Sequence, residues 1–261
     1  PKEQWNQVIA ERKSWPILYH FSHVRENILS WLPFTGKENV LEIGSGCGAI
    51  TGALCKKAEK VTCIELSKKR SEINAWRHKD CENLTILMGN FQEIEPALTE
   101  KYDYITLIGV FEYGENYIQS DTPYVDFLKT IARHLKPGGQ IVLAIENRFG
   151  LKYWAGCTED HFGTLFEGLE GYPTTKGVKT FTQKELTEIL EKAGVDPKTL
   201  TNLPAYEEAF AKIDGMKDEL GLTAVVSLVS AEGSTWVLGN HNFAGYLSSG
   251  LAYDDTSVTD M

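Results

Sequence analysis

The sequence predicts an α/β protein with a doubly wound, mostly parallel sheet. Apolar, β-branched runs alternate with segments of helical character, which is the pattern of parallel strands joined by crossover helices. A glycine-rich turn follows the first run, where a strand is expected to lead into a helix. A chain of 261 residues is long enough for one large domain of this class. The five apolar runs comprise residues 39–43, 60–64, 84–88, 104–108 and 140–145.

Helices are predicted in the segments around these runs. They comprise residues 23–32, 49–57, 68–79 and 124–134. The last helix is followed by Lys136-Pro137-Gly138-Gly139, which predicts a turn into the fifth strand. After Ile145 the pattern changes, because residues 146–180 are rich in glycine and aromatic residues and have no clean period. We therefore expect an insertion there that lines or covers a site.

Two parts are predicted along the chain: an N-terminal helical lid segment over residues 1–35 and one domain over residues 36–261. Toward the end of the domain, helices are expected at 183–192 and 204–220. Runs at 224–230 and 235–238 flank a turn like an antiparallel hairpin. The acidic end, 254–261, is expected to be frayed. Because the chain begins at Pro1 rather than Met, it is compatible with a piece of a longer polypeptide.

Charge and cysteine usage narrow the class of function. Lys and Arg number 26 against 36 Asp and Glu, so the formal net charge is −10. Phosphate backbones would repel such a chain as a whole, which disfavours a nucleic-acid partner. The five cysteines are scattered and form no CxxC pair, so the sequence predicts no metal site and a reduced, cytoplasmic setting. No apolar stretch is long enough for a membrane span.

The most informative motif is the strand and glycine-rich turn at residues 40–48. Gly44, Gly46 and Gly48 remove side chains where the backbone turns sharply, so a ligand can approach the chain closely. The third glycine comes two residues after the second, whereas the dinucleotide fingerprint has a spacing of three. Glu42 stands just before the turn, where its charge would oppose a pyrophosphate. The motif therefore favours a ligand with a cationic end over NAD.

Two further polar residues follow the next two strands. Glu65 ends the second run, at the sheet edge where a carboxylate can accept both hydroxyls of a ribose. Its alternative interpretation is an exposed loop acid. Asn90 follows the third run, where its amide could both donate to and accept from an adenine edge. The competing interpretation of Asn90 is an ordinary turn residue.

These residues carry a resemblance to class I S-adenosylmethionine-dependent methyltransferases. The resemblance covers about residues 38–194 and rests on five segments in order: VLEIGSGCGAIT, CIEL, MGNFQEI, YDYITLIGVFEY and HLKPGGQIVLAIEN. It implies a Rossmann-like methyltransferase fold with a seven-stranded sheet and an antiparallel C-terminal hairpin. It also implies S-adenosyl-L-methionine as the cofactor.

The resemblance assigns roles to residues of this chain. The loop glycines would shape the pocket for the methionine part, with Glu42 beneath them. Glu65 would bind the ribose hydroxyls, Asn90 would contact the adenine amino group, and Phe91 would pack nearby. Residues 109–112 would border the sulfonium. The expected cofactor-binding set is Tyr19, Glu42, Gly44, Gly46, Gly48, Glu65, Asn90, Phe91 and Gly109.

A narrower resemblance concerns residues 15–20, 146–156 and 159–161. These segments are similar to methyltransferase modules associated with bacterial glycosyltransferases and surface-glycan assembly. The resemblance implies a saccharide or small-molecule acceptor on the side of the insertion, and a glycosyltransferase as partner or fused domain. Aromatic residues of the insertion suit stacking on sugar faces, although aromatic residues in a long loop more often form a small satellite core.

Proton removal from a hydroxyl acceptor would need a base near the carboxyl ends of the strands. The candidates are His161, Glu146 and His20, with Glu112 as a further possibility. The acids before His161 could orient its ring, while a plain loop histidine is the alternative interpretation. His20 and His23 alone do not make a metal site.

Three classes of function stay open from the sequence. The first is methyl transfer by in-line displacement to a hydroxyl of a small molecule or glycan. The second is methylation of nucleic acid or protein, which the charge and the segment Gly109-Val110-Phe111-Glu112-Tyr113 disfavour, because base-methylating members have an Asn/Asp-Pro-Pro-aromatic motif there. The third is a cofactor-binding module that has lost catalysis and serves assembly.

Overall fold

A computed structural model describes residues 4–196. Its centre is a five-stranded parallel sheet in the order β3-β2-β1-β4-β5, and so the α/β class with a parallel sheet is confirmed. The predicted sheet has two more strands, and these, like the hairpin at 224–238 and the frayed end at 254–261, fall on residues outside the described range. The strands are β1 (Asn39–Ile43), β2 (Lys60–Glu65), β3 (Leu84–Met88), β4 (Tyr102–Ile108) and β5 (Leu135–Ala144).

Helices connect and flank these strands. They are α1 (Trp5–Arg12), α2 (Trp15–Phe21), α3 (Asn27–Ser30), α4 (Thr51–Lys57), α5 (Lys68–Arg77), α6 (Phe91–Ile94), α7 (Gly114–Tyr117), α8 (Pro123–Ala132), α9 (Leu151–Trp154) and α10 (Gln183–Ala193). Short 3₁₀ turns lie at His23–Glu26, Glu95–Ala97 and Phe111–Tyr113. In the part of the chain that the structure describes, no helix has the length and apolar character needed to cross a membrane.

Successive residues of β1 point to opposite faces of the sheet, which creates two apolar layers. Val40 is buried with Leu54 of α4 on one face. Leu41 is buried with Phe127 of α8 on the other face, where α10 also packs. This double covering explains why the central strands read as continuous apolar runs rather than alternating ones.

The described residues form two compact units. The first runs to Asn147 and resumes over Lys176–Val195, and it contains the whole sheet. The second comprises Arg148–Thr175 within the described range, inside the segment predicted as an insertion. In this second unit Glu167 accepts hydrogen bonds from the backbone and hydroxyl groups of both Thr174 and Thr175.

Two predicted elements differ from the structure by more than about two residues. The expected helix at 23–32 is a 3₁₀ turn followed by the single helical turn α3. Strand β5 begins at Leu135, before the predicted turn, because Leu135 pairs with Tyr102 and the next pair is Gln140 with Tyr104. Residues 136–139 therefore form a bulge inside the strand, and Gly138 takes the positive φ of +79° that this bulge needs.

The central strand, β1, carries a carboxyl group that is buried inside the sheet. Glu42 of β1 is 6 % exposed and is flanked in register by Cys63 of β2 and Thr106 of β4. Its Oε2 accepts a hydrogen bond of 2.6 Å from the Thr51 hydroxyl and one of 3.2 Å from the Cys63 thiol. Burial raises the pKa of Glu42 from 4.5 to about 7, since these two neutral donors stabilise the charge less than water would.

We expect Glu42→Gln to change how stability depends on pH. The wild-type pKa is higher in the folded than in the unfolded state, so the contribution of Glu42 to stability is greatest below pH 4.5 and is lost as the pH rises through about 7. The rise in pKa on folding corresponds to a change of about 3 kcal/mol at most in the free energy of unfolding. Urea unfolding of both proteins between pH 4.5 and 8 measures this difference. Parallel curves for wild type and variant would contradict the assignment.

Candidate active site

A cleft of about 580 Å³ opens in the first unit where β1, β2 and β4 end. Carboxyl ends of parallel strands are the usual position of ligand sites in doubly wound folds. The wall is formed by three parts of the chain: the N-terminal helices, the turns after β1, β2 and β3, and the segment after β4. Polar and aromatic residues that line it include Tyr19, His20, Arg25, Glu42, Glu65, Arg70, Phe91, Thr106, Tyr113, Asn116 and Tyr117.

The turn after β1, residues 44–48, is called the glycine loop below. Its three glycines all have positive φ, at +72° for Gly44, +55° for Gly46 and +75° for Gly48. A Cβ on Gly44 would lie 2.3 Å from a methyl group of Val110, so this position has no room for a side chain. A Cβ on Gly46 would meet nothing within 4 Å. Gly46 thus presents bare backbone to the cleft, as the sequence predicts for close approach of a ligand.

Glu65 lies at the predicted edge of the sheet and is 4 % exposed. Its Oε2 accepts from the Gly46 amide at 2.8 Å and its Oε1 from the Ser67 amide at 2.9 Å. The guanidinium of Arg70 is 3.8 Å from Oε1. Because a carboxylate has about four acceptor sites, two remain for hydroxyl donors in the cleft.

The two residues predicted beside the adenine are placed differently. Phe91 lines the cleft, is 2 % exposed, and packs edge-on against Phe127 at 5.2 Å between ring centres. Asn90 is the N-cap of α6, where its Oδ1 accepts from the Gln92 amide at 3.1 Å. Asn90 is not among the described residues that line the cleft. A turn-and-cap role therefore accounts for its side chain.

The N-terminal helices supply the opposite wall of the cleft. The guanidinium of Arg25 lies 3.7 Å above the ring of Tyr19. The Nε of Arg25 is buried and has no hydrogen-bond partner among the described residues. Next to it, His20 packs edge-on against Tyr19. Burial, followed by the charges of Arg77, Arg25 and Arg70, lowers the pKa of His20 below its ordinary value of 6.5.

The end of β4 brings a glycine between two polar groups. Gly109 has a φ of +66°, and a Cβ there would lie 3.6 Å from the Tyr19 hydroxyl and 3.8 Å from Oε1 of Glu112. Glu112 is 3 % exposed. Gly109 therefore lies between a hydroxyl of the N-terminal wall and a carboxyl of the segment after β4.

Sequence reasoning missed several lining residues. Tyr113 ends the segment YDYITLIGVFEY without a role assigned to it there, and Asn116 and Tyr117 follow where the sequence has no motif. Burial raises the pKa of Tyr113 and of Tyr117, so both phenols keep their protons at neutral pH. Thr106 is 1 % exposed, and its hydroxyl has no hydrogen-bond partner within the described range. The one available signal for Thr106 was its position as a polar residue within the apolar run of β4, whose residues 104–107 are all buried.

The three predicted bases have different positions. His20 lines the cleft. Glu146 follows the end of β5 and is not among the described cleft residues. His161 belongs to the second unit, where Oε1 of Glu159 is 2.8 Å from its Nδ1. Glu159 is 3 % exposed and also accepts from the His161 and Phe162 amides. The neighbouring acid thus orients the His161 ring, as the sequence suggested.

The family model and the relatives that this chain matches are all methyltransferases. A family model described as a methyltransferase domain matches residues 19–199. Over 98 residues the chain is 33 % identical to ribosomal RNA small subunit methyltransferase A of Borreliella afzelii, with 37 % of this chain and 35 % of the relative covered. It is 25 % identical over 177 residues to malonyl-[acyl-carrier protein] O-methyltransferase of Priestia megaterium, covering 66 % and 59 % of the two chains.

Solved structures agree on the fold. Phosphoethanolamine N-methyltransferase 1 of Haemonchus contortus, in complex with phosphoethanolamine and S-adenosylhomocysteine, has a TM-score of 0.50 and 18 % identity, covering 72 % of this chain and 39 % of that one. The chain spans about a third of the length of the ribosomal RNA methyltransferase relative and 59 % of that of the malonyl one. The match over residues 19–199 shows that the chain belongs to the methyltransferase-domain family, with a Rossmann-like fold and S-adenosylmethionine as methyl donor.

Proposed function

We propose that this protein transfers a methyl group from S-adenosylmethionine to a hydroxyl of a small-molecule or glycan acceptor. The observation that carries the proposal is the cleft itself. Bare backbone at Gly46, a buried carboxylate at Glu65 and an imidazole at His20 all line one space of about 580 Å³. This volume is in the range of pockets that enclose small organic ligands.

Each part of the cleft suits one part of the cofactor. The glycine loop would hold the methionine part, and the two remaining acceptor sites of Glu65 would take the ribose hydroxyls. Phe91 offers an apolar surface for the adenine ring. Arg25 would bind the carboxylate of the methionine part, since its guanidinium is fixed on Tyr19 and its Nε has no partner within the described range.

The cofactor supplies the activated methyl group, so the protein has to align the acceptor and remove its proton. His20 is the predicted base that lines the cleft. Its lowered pKa keeps the imidazole neutral at pH 7 and therefore able to accept a proton. His161 and Glu146 remain predictions for this role. The hydroxyl of Tyr19 next to Gly109 would border the reacting atoms from the same wall.

A nucleic-acid acceptor is the second candidate, favoured by the relative that acts on ribosomal RNA. The net charge of −10 is against it, because binding a phosphate backbone requires a positive surface. A turnover assay of S-adenosylhomocysteine release separates the two. Saccharide, small hydroxyl, RNA and peptide acceptors are compared with and without the full chain. Turnover with RNA or peptide alone would contradict the proposal, and so would full inactivity with every hydroxyl acceptor.

We expect Arg25→Ala to weaken S-adenosylhomocysteine binding about tenfold or more, the usual effect of losing a hydrogen bond to a charged group. Titration calorimetry with S-adenosylhomocysteine and with its carboxamide, which lacks the negative charge, measures the effect. The carboxamide should bind both proteins alike. Arg133→Ala, at an exposed arginine outside the cleft, is the matched control. Equal affinity of wild type and Arg25→Ala for S-adenosylhomocysteine would remove Arg25 from the cofactor site.

We expect His20→Gln to lower turnover with a hydroxyl acceptor about 10²-fold while cofactor affinity stays within a small factor. Because the pKa of His20 is lowered, wild-type activity should rise with pH, and the midpoint of that rise should lie below the ordinary imidazole value of 6.5. The variant should lack that rising limb. Rates measured between pH 5 and 8 test both points. If the variant keeps the wild-type pH profile, His20 is not the base, and His161 or Glu146 becomes the candidate.

A further inference from the structure

Three side chains at the end of helix α5 contact the glycine loop, and none of them is among the described residues that line the cleft. Asn74, Arg77 and His78 lie on one face of this helix and its C-cap, at the i, i+3 and i+4 positions. Each of the three donates to, or packs on, a group of the loop. Asn74 and His78 are not among the described residues that line the cleft, so neither has a place in the cofactor site outlined above.

His78 makes the closest of these contacts. It is 4 % exposed, and its Nε2 is 2.8 Å from the carbonyl oxygen of Gly48. A carbonyl oxygen can only accept, so Nε2 carries the proton and donates it. The ring fits a slot made by two glycines. A Cβ on Gly48 would lie 2.9 Å from Nε2, and a Cβ on Gly52 would lie 2.5 Å from Cε1.

Asn74 and Arg77 hold two further positions of the loop. Asn74 is fully buried, and its Nδ2 donates to the Ser45 hydroxyl and to the Thr51 hydroxyl at 3.2 Å each. The Arg77 guanidinium donates to the carbonyl oxygen of Cys47 at 3.3 Å. Side chains of α5 and its C-cap thus hold the loop at its Ser45 hydroxyl and at the carbonyl oxygens of Cys47 and Gly48.

The glycine loop needs such external contacts. Glycine reaches positive φ without strain, but it also has more conformational freedom to lose than any other residue. Three glycines within five residues therefore leave the free loop with many accessible conformations. We propose that His78, assisted by Asn74, is a positioning residue that holds the glycine loop in the conformation that binds the cofactor. This role concerns cofactor binding, which the family shares, and it does not depend on the identity of the acceptor.

The test compares variants of His78 in the full chain by titration calorimetry with S-adenosylhomocysteine. His78→Ala removes the donor and empties the slot, so the dissociation constant should rise about 10- to 50-fold. His78→Gln places an amide nitrogen where Nε2 was and should stay within about threefold of wild type. His78→Asn has the same chemistry but is too short to reach Gly48, so its affinity should resemble that of His78→Ala.

His134→Ala is the matched control for general destabilisation. His134 is 6 % exposed, belongs to the same unit, and is 2.6 Å from Glu95 through its Nε2, but it does not line the cleft. Its melting temperature should fall while its affinity for S-adenosylhomocysteine stays at the wild-type value. The Gln and Asn variants decide the question if His78→Ala does not fold.

Two results would overturn the proposal. One is wild-type affinity in folded His78→Ala or His78→Asn. The other is a loss of affinity that follows melting temperature alone, with His134→Ala as weak as the His78 variants. With any acceptor that supports turnover, the proposal also requires a higher KM for S-adenosylmethionine at nearly unchanged kcat in His78→Ala, since the loop contacts ground state and transition state alike.

Discussion

The hydrogen bond from the Gly46 amide to Glu65 connects the end of the central strand β1 to the end of its neighbour β2 and determines much of what surrounds them. It joins the loop after β1 to the last residue of β2, and the Gly44 amide adds a bond to Ile64 in the same place. The loop can turn this sharply because glycines occupy its positive-φ positions. Consequently the carboxylate and the bare backbone lie side by side in the cleft.

The strands were predictable because burial on both faces produces long apolar runs. β1 and β3 have the predicted bounds, and β2 differs by one residue. The errors occur where tertiary contacts override local preference. Leu135 pairs with Tyr102 across the bulge, and no periodicity indicates a strand that is interrupted by four residues. The short α3 similarly ends before the predicted helix does, since Leu32 and Phe34 continue with turn hydrogen bonds instead.

The candidate site was predictable where one residue type has one physical task. Glycine at positive φ and a carboxylate after a strand are such cases, and Gly46 and Glu65 lie in the cleft as expected. Asn90 shows the limit, because an amide after a strand serves equally well as a helix cap, which is its place here. Arg25 and Tyr113 could not be found from local sequence. Arg25 lies in a segment without a motif, and nothing in YDYITLIGVFEY singles out its last residue, Tyr113.

The slot occupied by His78 joins two distant positions of the chain into one steric unit. Gly52 has no side chain, and even a methyl group there would overlap the imidazole. A larger residue at position 52 is therefore acceptable only if the residue at position 78 becomes smaller at the same time. Conversely, an imidazole at position 78 requires glycine at position 52. Among related sequences the two positions should vary as a pair, although they are separated by 26 residues and Gly52 lies beyond the glycine loop.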